Sequence, residues 1–152
     1  MALETMELTR LKQRVCDEID RRAVELCSVA DWIHANPEIG HQEVQAAQRL
    51  CDLLRGAGIT VETGTAGMAT AFRAELAGRD GRPCIAILAE YDALPGLGHG
   101  CGHNLIGTSA IGAGLALREV MPELSGSVLL LGTPAEESAA PNSGGLIQIR
   151  EH

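Results

Sequence analysis

The chain has 152 residues, 45% of them apolar, which is enough for one domain with its own core. A net charge of -8 repels phosphate backbones, and 2% aromatic residues leave little for bases to stack on, so nucleic-acid binding is excluded. No apolar run, residues 85–89 and 128–131 included, approaches the roughly 20 residues of a membrane-spanning helix, so no membrane span is expected.

Residues 1–10 mix acidic and apolar types and lack the basic start and greasy run of a secretory signal, so a cytoplasmic location is the default. From Leu8 the apolar residues recur as Leu11, Val15, Ile19, Ala23, Leu26, Ala30 and Ile33, one stripe on a long helix that should stop at Asn36 and Pro37. Val44, Ala47, Leu50 and Leu54 write a second, shorter helix, with Gly56 and Gly58 as stop signals. Both helices are expected to cover a sheet. Residues 60–76 alternate in polarity and predict two modest strands around Ala66 and Gly67. Residues 84–89 and 127–131 are compact apolar runs between turn residues, the pattern of central strands buried on both faces. Between them, residues 104–120 have helical length. Gly107, Gly112 and Gly114 weaken that helix, so they should serve close approach to neighbouring backbone. Strand, helix, strand predicts an α/β fold: a mainly parallel or mixed sheet flanked by helices. Of the cysteines, Cys16, Cys27, Cys51 and Cys84 read as packing thiols in a reducing compartment.

In open α/β sheets reactive groups gather beyond the carboxyl ends of the strands. The first apolar run leads into Glu90 and Asp92, then His99, Cys101 and His103; the second leads into Glu136 and Glu137. In an extended backbone His99, Cys101 and His103 would face one centre, and a thiolate with imidazole suits zinc, cobalt or manganese. The plain alternative is a glycine-rich turn with a buried cysteine. Of the adjacent glutamates, one could bind a metal while the other takes a proton from water; taken alone, such pairs are usually solvated surface. Asp92 could orient a ligand imidazole or cap the turn before Pro95. His34 and His41 read as surface or packing residues. The glycine-rich loop lacks phosphate-binding spacing. A Cys101 nucleophile with His103 as base is the enzymatic rival, but residues two apart seldom reach that geometry, and it leaves the glutamates unused.

Four segments occur in order: Asn36-Pro-Glu-Ile-Gly40, Ala89-Glu-Tyr-Asp-Ala-Leu-Pro95, His99-Gly-Cys-Gly-His-Asn104 and Gly132-Thr-Pro-Ala-Glu-Glu137. Together they resemble the aminoacylase and carboxypeptidase family of metallopeptidases, and most of all its aminobenzoyl-glutamate hydrolase and β-alanyl-lysine dipeptidase branch. The resemblance implies a zinc-peptidase-like catalytic domain, truncated here: residues 1–152 match the N-terminal part of one catalytic domain. The rest of that domain, and an inserted smaller domain used for dimerisation and substrate closure, lie outside the chain. It implies two divalent metal ions (zinc, manganese or cobalt), with Cys101 bridging, His103 binding one and Glu137 the other. Glu136 matches the general base and Asp92 the orienting aspartate, while Glu90 stands where other branches place a ligand histidine. The implied activity is hydrolysis, by metal-activated water, of small amide substrates: N-acyl amino acids, aminobenzoyl-glutamate-like compounds or dipeptides. The alternative is a non-catalytic remnant, or a subunit completed by a second polypeptide.

Overall fold

The computed structural model describes residues 2–138 and 144–145. Helix α1 (Ala2–Ala35) carries the expected stripe: Leu11, Ala30 and Ile33 are buried, although Ala23 is exposed. It stops where the sequence demands. Asn36 Nδ2 donates to Trp32 O at 2.7 Å, and Pro37 has no N–H with which to continue.

Helix α2 (Val44–Gly56) turns Ala46, Ala47, Leu50 and Leu54 into the core. Its first turn is capped from a distance: Glu38 Oε2 accepts from Gln45 N and from Ala46 N, each at 2.9 Å. A carboxylate there satisfies two orphan donors and complements the helix dipole. Glu38→Ala is therefore expected to lower stability by about 1 kcal/mol, read as a lower urea midpoint at constant slope; an unmoved midpoint would rule the cap out.

Among the described residues, four strands form one mixed sheet in the order β1 (Glu62–Thr63), β2 (Phe72–Ala77), β4 (Ser127–Gly132), β3 (Cys84–Ala89). β2 runs antiparallel to β1 and β4, and β3 is parallel to β4. The two modest strands of residues 60–76 are thus β1 and the start of β2, joined through a short 3-10 turn with Gly64, Ala66 and Gly67 at positive φ. The parallel pair is connected by α3 (His103–Arg118), completing the expected strand, helix, strand unit.

Only one of the two apolar runs is a central strand. β4 is buried nearly throughout, but β3 lies at the sheet edge, where Cys84, Ile85 and Ala86 are exposed, Ile85 by 59%. Both runs are continuously apolar, so hydrophobicity alone could not rank them; among the described residues β4 has strand neighbours on both sides and β3 on one.

Helix α1 packs chiefly on α3. Of the three α3 glycines, only Gly107 approaches neighbouring backbone as expected, while Gly112 and Gly114 make room for leucine side chains. A Cβ at Gly112 would stand 2.9 Å from Leu26 of α1, one at Gly114 2.4 Å from Leu130 of β4, and one at Gly107 2.6 Å from the Glu90 carbonyl oxygen. α2 joins the same core through Leu50 and Leu54, with Phe72 and Tyr91 at its centre. The cysteine reading needs correcting: Cys51 is buried, whereas Cys16, Cys27 and Cys84 are exposed, because they fall beside rather than within the packed faces. Among the described residues, no helix is long and apolar enough to cross a membrane.

Candidate metal centre

The carboxyl ends of β3 and β4 bring the two polar clusters together. His103 opens α3 behind Gly102, which takes the left-handed conformation (φ 82°). Its ring is buried. Nδ1 lies 2.9 Å from Asp92 Oδ1 and 3.0 Å from the Asp92 carbonyl oxygen. Both partners are acceptors, so Nδ1 carries a proton and Nε2 is the ring atom left to face the site. His103 Nε2 faces Glu90 Oε2 at 3.5 Å, Glu136 Oε2 at 3.6 Å and Glu137 Oε1 at 4.0 Å.

Carboxylates gathered around one ring nitrogen call for a shared positive charge, either a proton on Nε2 or a metal ion. Among the described residues, no lysine or arginine is ion-paired with Glu90, Asp92, Glu136 or Glu137. One ligand atom each from Glu90, His103 and Glu136 falls within 4.8 Å of the others, a spacing that can hold a metal ion. The donor set of imidazole and carboxylates, with a thiol beside it, suits zinc or manganese better than a hard all-oxygen site would.

Asp92 settles between its two expected roles. It is 2% exposed, grips His103 with Oδ1, and accepts the Glu137 backbone N–H with Oδ2 at 2.9 Å. It therefore orients the imidazole and ties the glutamate turn to the end of β3. Cys101 is exposed, and its thiol is hydrogen-bonded to the Glu137 carboxylate. That bond, then partial burial and the neighbouring carboxylates, raises the Cys101 pKa; a thiolate here needs added positive charge. Burial also pushes the Glu90 carboxyl up, opposed by His103 and reinforced by Glu136, Asp92 and Glu137.

Not every expectation holds. Gly98 and Gly102 take positive φ, so the His99–His103 segment is a turn, not an extended ladder. His99 is consequently buried beside His34, ring centroids 6.3 Å apart, and its ring nitrogens find no hydrogen-bond partner among the described residues. Glu90, given no ligand role from its position in the sequence, does join the cluster; the signal was its place two residues before Asp92 at the end of an apolar run. The Asn36–Gly40 segment is structural: its Glu38 carbonyl accepts from Ala93 N at 2.8 Å, anchoring the loop that carries Asp92.

A mixed α/β sheet with an imidazole and carboxylates gathered at its carboxyl edge is an arrangement that can hold a metal ion. No family model matches the chain. It is 34% identical to one of the subunits of p-aminobenzoyl-glutamate hydrolase of Escherichia coli, over 89% of this chain and 31% of that protein. It is 37% identical to Xaa-Arg dipeptidase of Mus musculus, over 95% of this chain and 36% of that protein. The fold superposes on the YXEP protein of Bacillus subtilis, a dinuclear metal binding peptidase of the M20 family, with a TM-score of 0.74 and 29% identity, covering 84% of this chain and 38% of that one. The chain is thus similar, over most of its own length, to proteins named as a hydrolase, a dipeptidase and a dinuclear metal binding peptidase of the M20 family, and it spans about a third of the length of the curated relatives it matches.

Proposed function

We propose that this chain supplies the N-terminal part of the catalytic domain of a metal-dependent amidohydrolase. Its substrates are N-acyl amino acids, aminobenzoyl-glutamate-like compounds or dipeptides, cleaved at the amide bond next to an amino-acid carboxylate. The observation that carries the proposal is the His103 ring, fixed through Nδ1 by Asp92 so that Nε2 meets the carboxylates of Glu90, Glu136 and Glu137. The names of the relatives supply the substrate class.

In this reading Cys101, His103 and Glu137 hold two divalent ions, zinc, manganese or cobalt. When bound, such ions supply Lewis acidity that acidifies water and polarises an amide carbonyl. The remaining work falls to side chains. Asp92 keeps the imidazole in its Nδ1–H tautomer, leaving Nε2 as the donor atom. Glu136, the most exposed of the clustered carboxylates, is free to accept a proton from the attacking water and return it to the leaving amine.

The third of its relatives' length that the chain spans is consistent with, but does not favour, a second reading: a non-catalytic remnant, or a subunit completed by a second polypeptide. One experiment addresses both. Zinc affinity of the purified chain, measured by chelator competition beside Cys101→Ser, should show binding that the variant weakens by roughly 10-fold or more. Equal affinity in the variant would remove Cys101 from the site. Clear turnover of an N-acetyl amino acid by the isolated chain would eliminate the non-catalytic reading.

A further inference from the structure

The glutamate pair sits on a turn that is held by the backbone, and two residues outside the metal cluster do the holding. Ala135, just before Glu136, has φ 56°, a conformation that costs an alanine but not a glycine. Something must impose it. Behind it lies Glu43, 0% exposed at the start of α2, whose Oε1 accepts the Ala135 N–H at 2.7 Å. Glu43 Oε2 is in turn 3.2 Å from Thr70 Oγ1, and the Thr70 carbonyl accepts from Tyr91 OH at 2.7 Å. Gly40 also packs on Ala135: an added Cβ there would stand 2.9 Å from the Ala135 Cβ and 3.0 Å from its Cα.

We infer that Glu43 is a positioning residue for the metal centre, and that with the flat face of Gly40 it fixes the strained turn presenting Glu136 and Glu137. Two buried carboxylates grip that turn, Glu43 at the Ala135 N–H and Asp92 at the Glu137 N–H. Glu136 is the one residue between the grips whose N–H neither takes. A fully buried carboxylate with no ion-pair partner among the described residues is costly, and packing alone would be served better by an apolar side chain. What a leucine at 43 could not supply is an acceptor aimed at Ala135 N–H. The same logic explains why the site tolerates a non-glycine at positive φ: the conformation is over-determined by two contacts. The inference rests on the metallohydrolase reading for its consequence, metal affinity, but not for the turn itself.

The test uses zinc with the chain as it stands and three variants. Glu43→Ala removes the acceptor; Gly40→Ala crowds Ala135 most closely, its added Cβ also coming within 3.8 Å of Asp92 Oδ2; Glu43→Gln keeps an oxygen that can accept from Ala135 N–H. Expected are losses in zinc affinity of about 10- to 100-fold for Glu43→Ala and Gly40→Ala, as for other groups that orient ligands, and rescue to within about threefold by Glu43→Gln. Leu54→Val, a core change on α2 away from the turn, serves as a control and should lower thermal stability while leaving zinc affinity unchanged. Wild-type affinity in both Glu43→Ala and Gly40→Ala would overturn the inference, as would equal loss in Leu54→Val, which would make the effect one of general stability. If the wild-type chain binds no zinc, it is the metal reading that fails, and amide exchange decides the rest. Protection of the Ala135 amide should then fall at least tenfold in Glu43→Ala and Gly40→Ala while β4 amides stay protected, and unchanged Ala135 protection would overturn the inference.

Discussion

Glu136→Gln, made at the matching position of a complete homologue, is expected to cut turnover by about 10²- to 10⁴-fold while leaving the metal content unchanged. The substitution keeps the size and hydrogen-bonding reach of the side chain but removes its capacity to take a proton. The geometry makes this a sharp test, because Glu136 has two candidate roles here. Its Oε2 is 3.6 Å from His103 Nε2, nearer than Glu137 Oε1 at 4.0 Å, and it belongs to the three-residue cluster with Glu90 and His103. Against that, it is the most exposed of these carboxylates, as suits a group that must reach water. Lost turnover with retained metal assigns it as the base. Lost metal would assign it as a ligand and pass the role of base to Glu90 or Glu137. Retained turnover would remove it from the chemistry.

The helices and the site's raw material were legible because they are written locally. The stripe from Leu11 to Ile33 gave α1, and Pro37 its end; Gly107, Gly112 and Gly114 announced close packing, and each now faces a neighbour too near to admit a Cβ. The meeting of the Asp92–His103 and Glu136–Glu137 clusters followed from the rule that reactive groups collect at the carboxyl ends of strands. What stayed hidden depends on strand order and on backbone sign. Nothing in two similar apolar runs says that, among the described residues, β4 has strands on both sides and β3 on one. The alternation that would have aligned His99 with Cys101 and His103 fails because Gly98 and Gly102 turn left-handed, and glycine permits that without requiring it. Glu43 was invisible for another reason. It sits among ordinary helix-start residues, and its importance lies in a hydrogen bond to a residue 92 positions away.

Gly132→Ala should be the most destabilising single-methyl change in the sheet, about 3 kcal/mol, seen as a fall in melting temperature of roughly 6–12 °C. Gly132 closes β4 and pairs with Phe72 across the antiparallel ladder. The Phe72 ring folds over it: an added Cβ would stand 2.3 Å from two ring carbons and 2.7 Å from a third. The ring cannot swing away cheaply, because it is fully buried and stacked on Tyr91 with centroids 5.8 Å apart. Truncating the ring instead, in Phe72→Ala, should cost about 3–5 kcal/mol by leaving a cavity, which sets the ceiling for eviction by the methyl. The decisive comparison is the double variant. If the clash is the mechanism, Gly132→Ala should cost little once Phe72 is already alanine, and the two effects should fail to add. Additive losses would show that Gly132 is needed for its backbone and not for the ring. The consequence reaches the site, since Tyr91 lies between Glu90 and Asp92, and a displaced Phe72 pushes on the segment that holds His103 in place.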